Sequence, residues 1–172
     1  PLVSVVPGTS VSTISWGKEN SGSLSAMFMS TEVSELVKEI ADLLVESGES
    51  VAVSESCCGG LIASCLVSVP GASKYFVGGT TTYSLNSRLK LSGWSQGDID
   101  SYTGPSQEVA VRLARNLKME LGATYTLAET GWAGPDDGLN GGNAFLTVSC
   151  RNKIHSREIK TELNDRIRNM ET

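Results

Sequence analysis

The sequence predicts an α/β fold: a three-layer α/β/α domain with a mixed, mainly parallel sheet and a C-terminal hairpin. Two patterns predict it. Through the first two-thirds of the chain, helical apolar periodicity alternates with short continuous apolar runs, as in units whose parallel strands are covered on both faces. Near the end, two strand-like segments, 144–150 and 154–163, flank Asn152-Lys153 in the layout of a hairpin. The 172 residues suffice for one domain. Residues 1–29, rich in Ser, Gly, Val and Thr, read as a tail or edge strand, and residues 30–172 read as a single domain.

Each element has its own signal. Ser30 or Thr31 can cap a first helix, because Val33, Leu36, Val37, Ile40, Leu43 and Leu44 fall on one stripe and Gly48 follows as a left-handed stop. Val51-Ala52-Val53 is a short buried strand. It leads through Ser54-Glu55-Ser56-Cys57-Cys58-Gly59-Gly60 into an apolar helix that Pro70-Gly71 ends. Residues 75–83 have strand composition, with Gly78-Gly79 marking a bulge or close approach. A short helix over 84–91 and a turn-rich stretch over 92–105 come next. Ser106 then caps a helix whose face is Val109, Ala110, Leu113, Ala114, Leu117 and Leu121, stopped by Gly122. Residues 125–128 form another short strand, and Glu129 to Gly138 a loop. Residues 164–172 begin a helix too short to bury much.

Composition excludes several roles. A net charge of −5 without any basic run leaves nothing to neutralise a phosphate backbone, so no nucleic-acid partner is expected. The longest apolar stretch, over residues 60–69, falls far short of the ~20 residues that span a bilayer, so no membrane partner is expected either. Cys57, Cys58, Cys65 and Cys150 show no C-x-x-C spacing, and His155 stands alone. No metal and no cofactor are therefore assigned, and a reducing cytoplasm is the expected compartment. Asp136 and Asp137 with Glu129 could hold a cation, but adjacent acids in a Gly-Pro turn read as solvated. An apolar hairpin edge near Phe145 to Val148 is compatible with a homo-oligomer.

The unit from Val51 to Val69 draws attention to chemistry. It places Ser56, Cys57, Cys58, Gly59 and Gly60 between a strand end and a helix start, where backbone N–H groups and a helix dipole favour an anion or oxyanion. Its glycines fit neither the dinucleotide fingerprint nor the phosphate loop of nucleotide kinases. A simple tight turn would use the same small residues. With no histidine motif nearby, any nucleophile here, whether Ser56 or a cysteine, needs a lysine, a tyrosine or a helix terminus to activate it.

Further blocks narrow the reading. Residues 54–63, the turn Val69-Pro70-Gly71-Ala72-Ser73, Thr82-Tyr83-Ser84, Pro105-Ser106 with Val109-Ala110, and Thr130-Gly131-Trp132-Ala133-Gly134-Pro135 occur in that order. In this ordered set the chain resembles the CinA C-terminal domain family from about Val33 to its end. Members of that family include nicotinamide-mononucleotide deamidases.

The resemblance implies an amidohydrolase that converts nicotinamide mononucleotide and water to nicotinate mononucleotide and ammonia. Ser56 would attack the carboxamide carbon, and Tyr83 with a nearby lysine would handle protons. It further implies that Cys57, Cys58, Gly59, Gly60, Ser84, Arg88, Thr130, Gly131, Ala133 and Gly134 contact the pyridine mononucleotide. The chain departs from the family pattern at four places: Cys58 replaces its Thr, Gly78-Gly79 its Arg-Gly, Leu85 its Asn, and Arg88 its lysine. Arginine stays protonated and cannot act as general base, though it can bind phosphate or carboxylate. Lys90, two residues on, is turned about 200° away on a helix. A catalytically silent nucleotide-binding or assembly module is therefore the alternative, and whether the chain is an enzyme stays open at this point.

Overall fold

The computed structural model describes residues 29–135, 141–161 and 165–171. The expected tail or edge strand, apart from Met29, and the acidic pair Asp136 and Asp137 lie outside them. The elements run α1 (Thr31–Ser47), β1 (Val51–Glu55), α2 (Leu61–Val67), a 3-10 turn (Ala72–Lys74), β2 (Phe76–Thr81), α3 (Leu85–Leu91), α4 (Gln96–Asp100), α5 (Gln107–Leu121), β3 (Tyr125–Gly131), β4 (Asn143–Cys150), β5 (Lys153–Lys160) and α6 (Arg166–Glu171).

One five-stranded sheet, ordered β2-β1-β3-β4-β5, organises the described residues. β1 is parallel to both β2 and β3, whereas β3 pairs antiparallel with β4 and β4 with β5. Four strands thus share one direction and β4 alone opposes them. The mixed sheet and the terminal hairpin match the expectation.

Period-two alternation along the strands builds two cores. Val51 and Val53 pack with Val37, Ala41 and Leu44 of α1, Leu66 of α2 and Tyr75. On the opposite face Ala52 meets Leu117 of α5, and Ala128 of β3 meets Leu113, Ala114 and Trp94. The alanines admit α5 close to the sheet. These are the two helical layers that the sequence implied.

The caps are those expected from local chemistry. Ser30 Oγ accepts from Val33 N at 3.2 Å, and Ser106 Oγ from Val109 N at 3.2 Å. Gly48 and Gly122 close their helices with φ of 65° each. Gly79 is required by packing: a Cβ there would lie 2.6 Å from the Val53 carbonyl oxygen. The irregularity expected at Gly78-Gly79 takes the form of a register shift, since Val51 pairs with Phe76 but Ala52 with Gly78.

Two expectations need correction. The turn-rich stretch contains α4, closed by a capping box between Ser95 and Asp98, because five residues are too few to show a period. Strand β3 continues through Glu129, Thr130 and Gly131, where a loop was expected, since Glu129 pairs with Leu146 and Gly131 with Ala144 of β4. Leu36 and Leu43, on the apolar stripe of α1, stay exposed at 54% and 58%. Leu43 faces the same cavity as residues of the hairpin. That cavity, of about 870 Å³, is lined by Ile40, Leu43, Leu127, Leu146, Val148 and Ile159 among others.

Candidate functional site

The carboxyl ends of β1 and β3 lie side by side, where open α/β sheets bind ligands. Alternation sends neighbouring residues to opposite layers. Ser56, Arg88 and Thr130 meet on the α5 side, while Cys57, Cys58 and Glu129 line the cavity on the α1 side.

Arg88 organises the first group. The residue is 2% exposed, and its guanidinium donates from one nitrogen to Ser56 Oγ at 2.9 Å and to Thr130 Oγ1 at 3.2 Å. Nε donates to the Thr82 carbonyl at 3.4 Å. Two rings enclose the cation, with Trp94 at 5.3 Å and Tyr102 at 5.0 Å from ring centroid to Cζ. The remaining nitrogen, Nη1, has no partner among the described residues, and neither has the nearby Trp94 Nε1. No carboxylate of the described residues forms an ion pair with Arg88. A buried, uncompensated cation is costly, and an anionic ligand group would relieve it.

The loop N–H groups are placed differently from the free donors that the sequence suggested. Glu129, 1% exposed, accepts from the backbone N–H groups of Ser56, Cys57 and Cys58 at 3.1, 3.3 and 3.0 Å. Glu55, equally buried, accepts from Gly60, Ile62 and Ala63 at 2.9, 3.1 and 2.8 Å, and so caps α2. The anion expected at this helix start is therefore supplied by the chain itself, in two copies.

Glu129 has a fourth donor, since Cys57 Sγ lies 2.7 Å from its Oε1. The two thiol sulfurs and a Glu129 oxygen all fall within 4.8 Å of one another. Sequence spacing could not reveal this cluster, because 72 residues separate Cys57 from Glu129. The Cys57 thiol, burial and the Glu129 charge together hold the Cys58 thiol well above the ordinary thiol range. Burial, with a smaller push from Glu55, also raises Cys65.

The other candidates lie further out. Tyr83 is 63% exposed, and its hydroxyl accepts from Arg166 of α6 at 2.9 Å, with no hydrogen bond to Ser56. Ser84 caps α3 through Ser87 N, and Gly59 is exposed. The Ala133 and Gly134 carbonyls accept from Asn169 and Arg166, so α6 holds this loop. Gly131 ends β3 at 2.4 Å from a backbone oxygen of Asn143 for any added Cβ. Lys90 is exposed while Arg88 is buried, as their spacing requires, and His155 is exposed on β5.

Sequence reasoning passed over Trp94, Tyr102 and Arg166 as site residues, and gave Glu55 no role. For Glu55 a local signal existed: an acid ending a strand just before a Gly-Gly helix start is well placed to cap it.

The CinA C-terminal domain family matches residues 33–172. The chain belongs to that family. The CinA domain is 36% identical over 115 residues to a CinA-like protein of Desulforapulum autotrophicum, covering 67% of the chain and 27% of that protein. It is 34% identical over 131 residues to a CinA-like protein of Shewanella sediminis, covering 74% and 31%. It thus spans about a third or less of the length of these curated relatives. Among solved structures it resembles the competence/damage inducible protein CihA of Agrobacterium tumefaciens, with a TM-score of 0.77 at 25% identity, covering 83% of the chain and 88% of that protein. A CinA superfamily protein of Escherichia coli shares the fold, with a TM-score of 0.74 at 22% identity, covering 81% and 82%. No helix of the described residues is long and apolar enough to cross a membrane.

Proposed function

We propose that this CinA domain is an amidohydrolase of the nicotinamide-mononucleotide deamidase type, with Ser56 as nucleophile. The observation that carries the reading is the buried Arg88 guanidinium, which fixes Ser56 Oγ at 2.9 Å and keeps a second nitrogen free. Ser56 Oγ would attack the carboxamide carbon, its proton passing to the departing ammonia, and water would then hydrolyse the acyl-serine to the carboxylate. The adjacent guanidinium would favour the developing negative charge on oxygen, as an oxyanion-stabilising group does. Trp94 and Tyr102 would supply flat apolar surfaces at the same place.

A second reading, a domain that binds a mononucleotide without turning it over, is favoured by the same arginine. A guanidinium cannot take the serine proton at neutral pH. Tyr83, the other expected proton carrier, is engaged with Arg166 instead.

Ammonia release from nicotinamide mononucleotide and a small panel of amides separates the two readings. Turnover by the wild type that disappears in Ser56→Ala supports the hydrolase, and Arg88→Lys should raise it. Saturable nucleotide binding without ammonia release in either protein would support the silent module. If Ser56→Ala released ammonia as fast as the wild type, the nucleophile assignment would be wrong.

A further inference from the structure

We propose that Cys57, Cys58 and Glu129 form a binding site for a soft d10 divalent cation of the zinc and cadmium class, entered from the cavity between α1 and the hairpin. Three donor atoms of suitable kind, two thiols and a carboxylate, already fall within 4.8 Å of one another. Metal–sulfur bonds of ~2.3 Å and metal–oxygen bonds of ~2.1 Å place donors on one tetrahedral ion about 3.6–3.8 Å apart. The donor atoms of the cluster therefore need to shift by only about 1 Å relative to one another to share one ion.

The donors are held in advance. Three backbone N–H groups aim the Glu129 carboxylate, and the same bonds pin the Ser56-Cys57-Cys58 loop that carries the thiols. Ligating carboxylates in metal sites are oriented by hydrogen bonds of this kind. The Cys57 S–H donates to Glu129 Oε1 at 2.7 Å, a bond that a cation would replace as the two atoms move apart.

All three residues line the cavity of about 870 Å³, which gives an ion a route in. The exchange balances: the ion enters, Cys57 and Cys58 each release one proton, both thiolates and the Glu129 carboxylate bind it, and no electron moves. Three protein ligands leave a fourth position for water or another ligand.

This site is separate from the proposed hydrolase centre, since Ser56 and Arg88 lie on the other layer. It uses Cys58, one of the residues by which this chain departs from the family pattern.

The test is a titration of the reduced, metal-stripped full chain with Cd2+, followed by the ultraviolet thiolate-to-cadmium charge-transfer band, with Zn2+ competing against a chromophoric chelator. One equivalent should bind. Cys58→Thr should weaken binding at least ~10-fold, and Cys57→Ser should abolish the band. Cys65→Ser removes a thiol that lines the same cavity outside the cluster, and should bind like the wild type. Circular dichroism of each variant reports its fold, and Cys58→Thr carries the test alone if Cys57→Ser fails to fold. No stoichiometric binding, undiminished binding in Cys58→Thr, or loss in Cys65→Ser would each overturn the proposal.

Discussion

Replacing Glu129 by glutamine converts one of its two oxygens into a donor. Whichever way the amide turns, it faces at least one backbone N–H of the Ser56-Cys57-Cys58 loop, now without an acceptor. An orphaned buried donor costs about 1–3 kcal/mol. In the orientation that keeps an oxygen at the Oε2 position, the bonds from Ser56 and Cys58 survive, change from charge-assisted to neutral, and lose roughly 1 kcal/mol each. Removing a buried charge offsets part of this total. The net expectation is destabilisation of about 3 kcal/mol, a fall in Tm of about 6–12 °C for a chain of this size. Urea unfolding followed by tryptophan fluorescence measures it, with an unchanged m-value as the check that the same surface unfolds. Glu120→Gln, on the exposed side of α5, serves as control. If Glu129→Gln unfolds within about 0.5 kcal/mol of the wild type, the carboxylate does not hold the loop, and the account of the site built on it fails.

Leu113, 1% exposed between α5 and the sheet, should cost about 2–5 kcal/mol when cut to alanine. Leu36→Ala, at a site 54% exposed, should stay within about 0.5 kcal/mol in the same unfolding assay. The Arg112 guanidinium, with help from the Ser95 hydroxyl and N–H, holds Asp98 below its ordinary value of 3.8. Its folded pKa is depressed, so this contribution to stability is present above the unfolded value and is lost as pH falls through and below it. Tm measured from neutral to acid pH should fall less steeply in Asp98→Asn than in the wild type, and parallel curves would contradict the assignment.

Local chemistry made much of the fold legible. Helices α1 and α5 are each framed by a serine cap and a glycine stop, and these devices act within a turn of where they stand. The strand-loop-helix unit around Ser56 was equally visible, because residue type alone marks it. What was hidden depends on distance along the chain. The length of β3 is set by its partner β4, the loop donors are filled by a glutamate 72 residues away, and the aromatic pair around Arg88 comes from a turn-rich stretch with no period to read. The exposure of Leu36 and Leu43 was hidden for a related reason. A stripe on a helix states that apolar surface exists, and the opposing layer decides how much of it is covered.

The alternation at the ends of β1 and β3 has a consequence for how change is tolerated along them. Ser56 and Cys57 are covalent neighbours, yet one answers to the Arg88 layer and the other to the layer of α1. Thr130 and Glu129 divide in the same way. Neighbouring positions in these few residues are therefore under independent demands, and a substitution can alter one layer while leaving the other as it was. Insertion of a single residue has no such privacy: it would exchange the occupants of both layers at once.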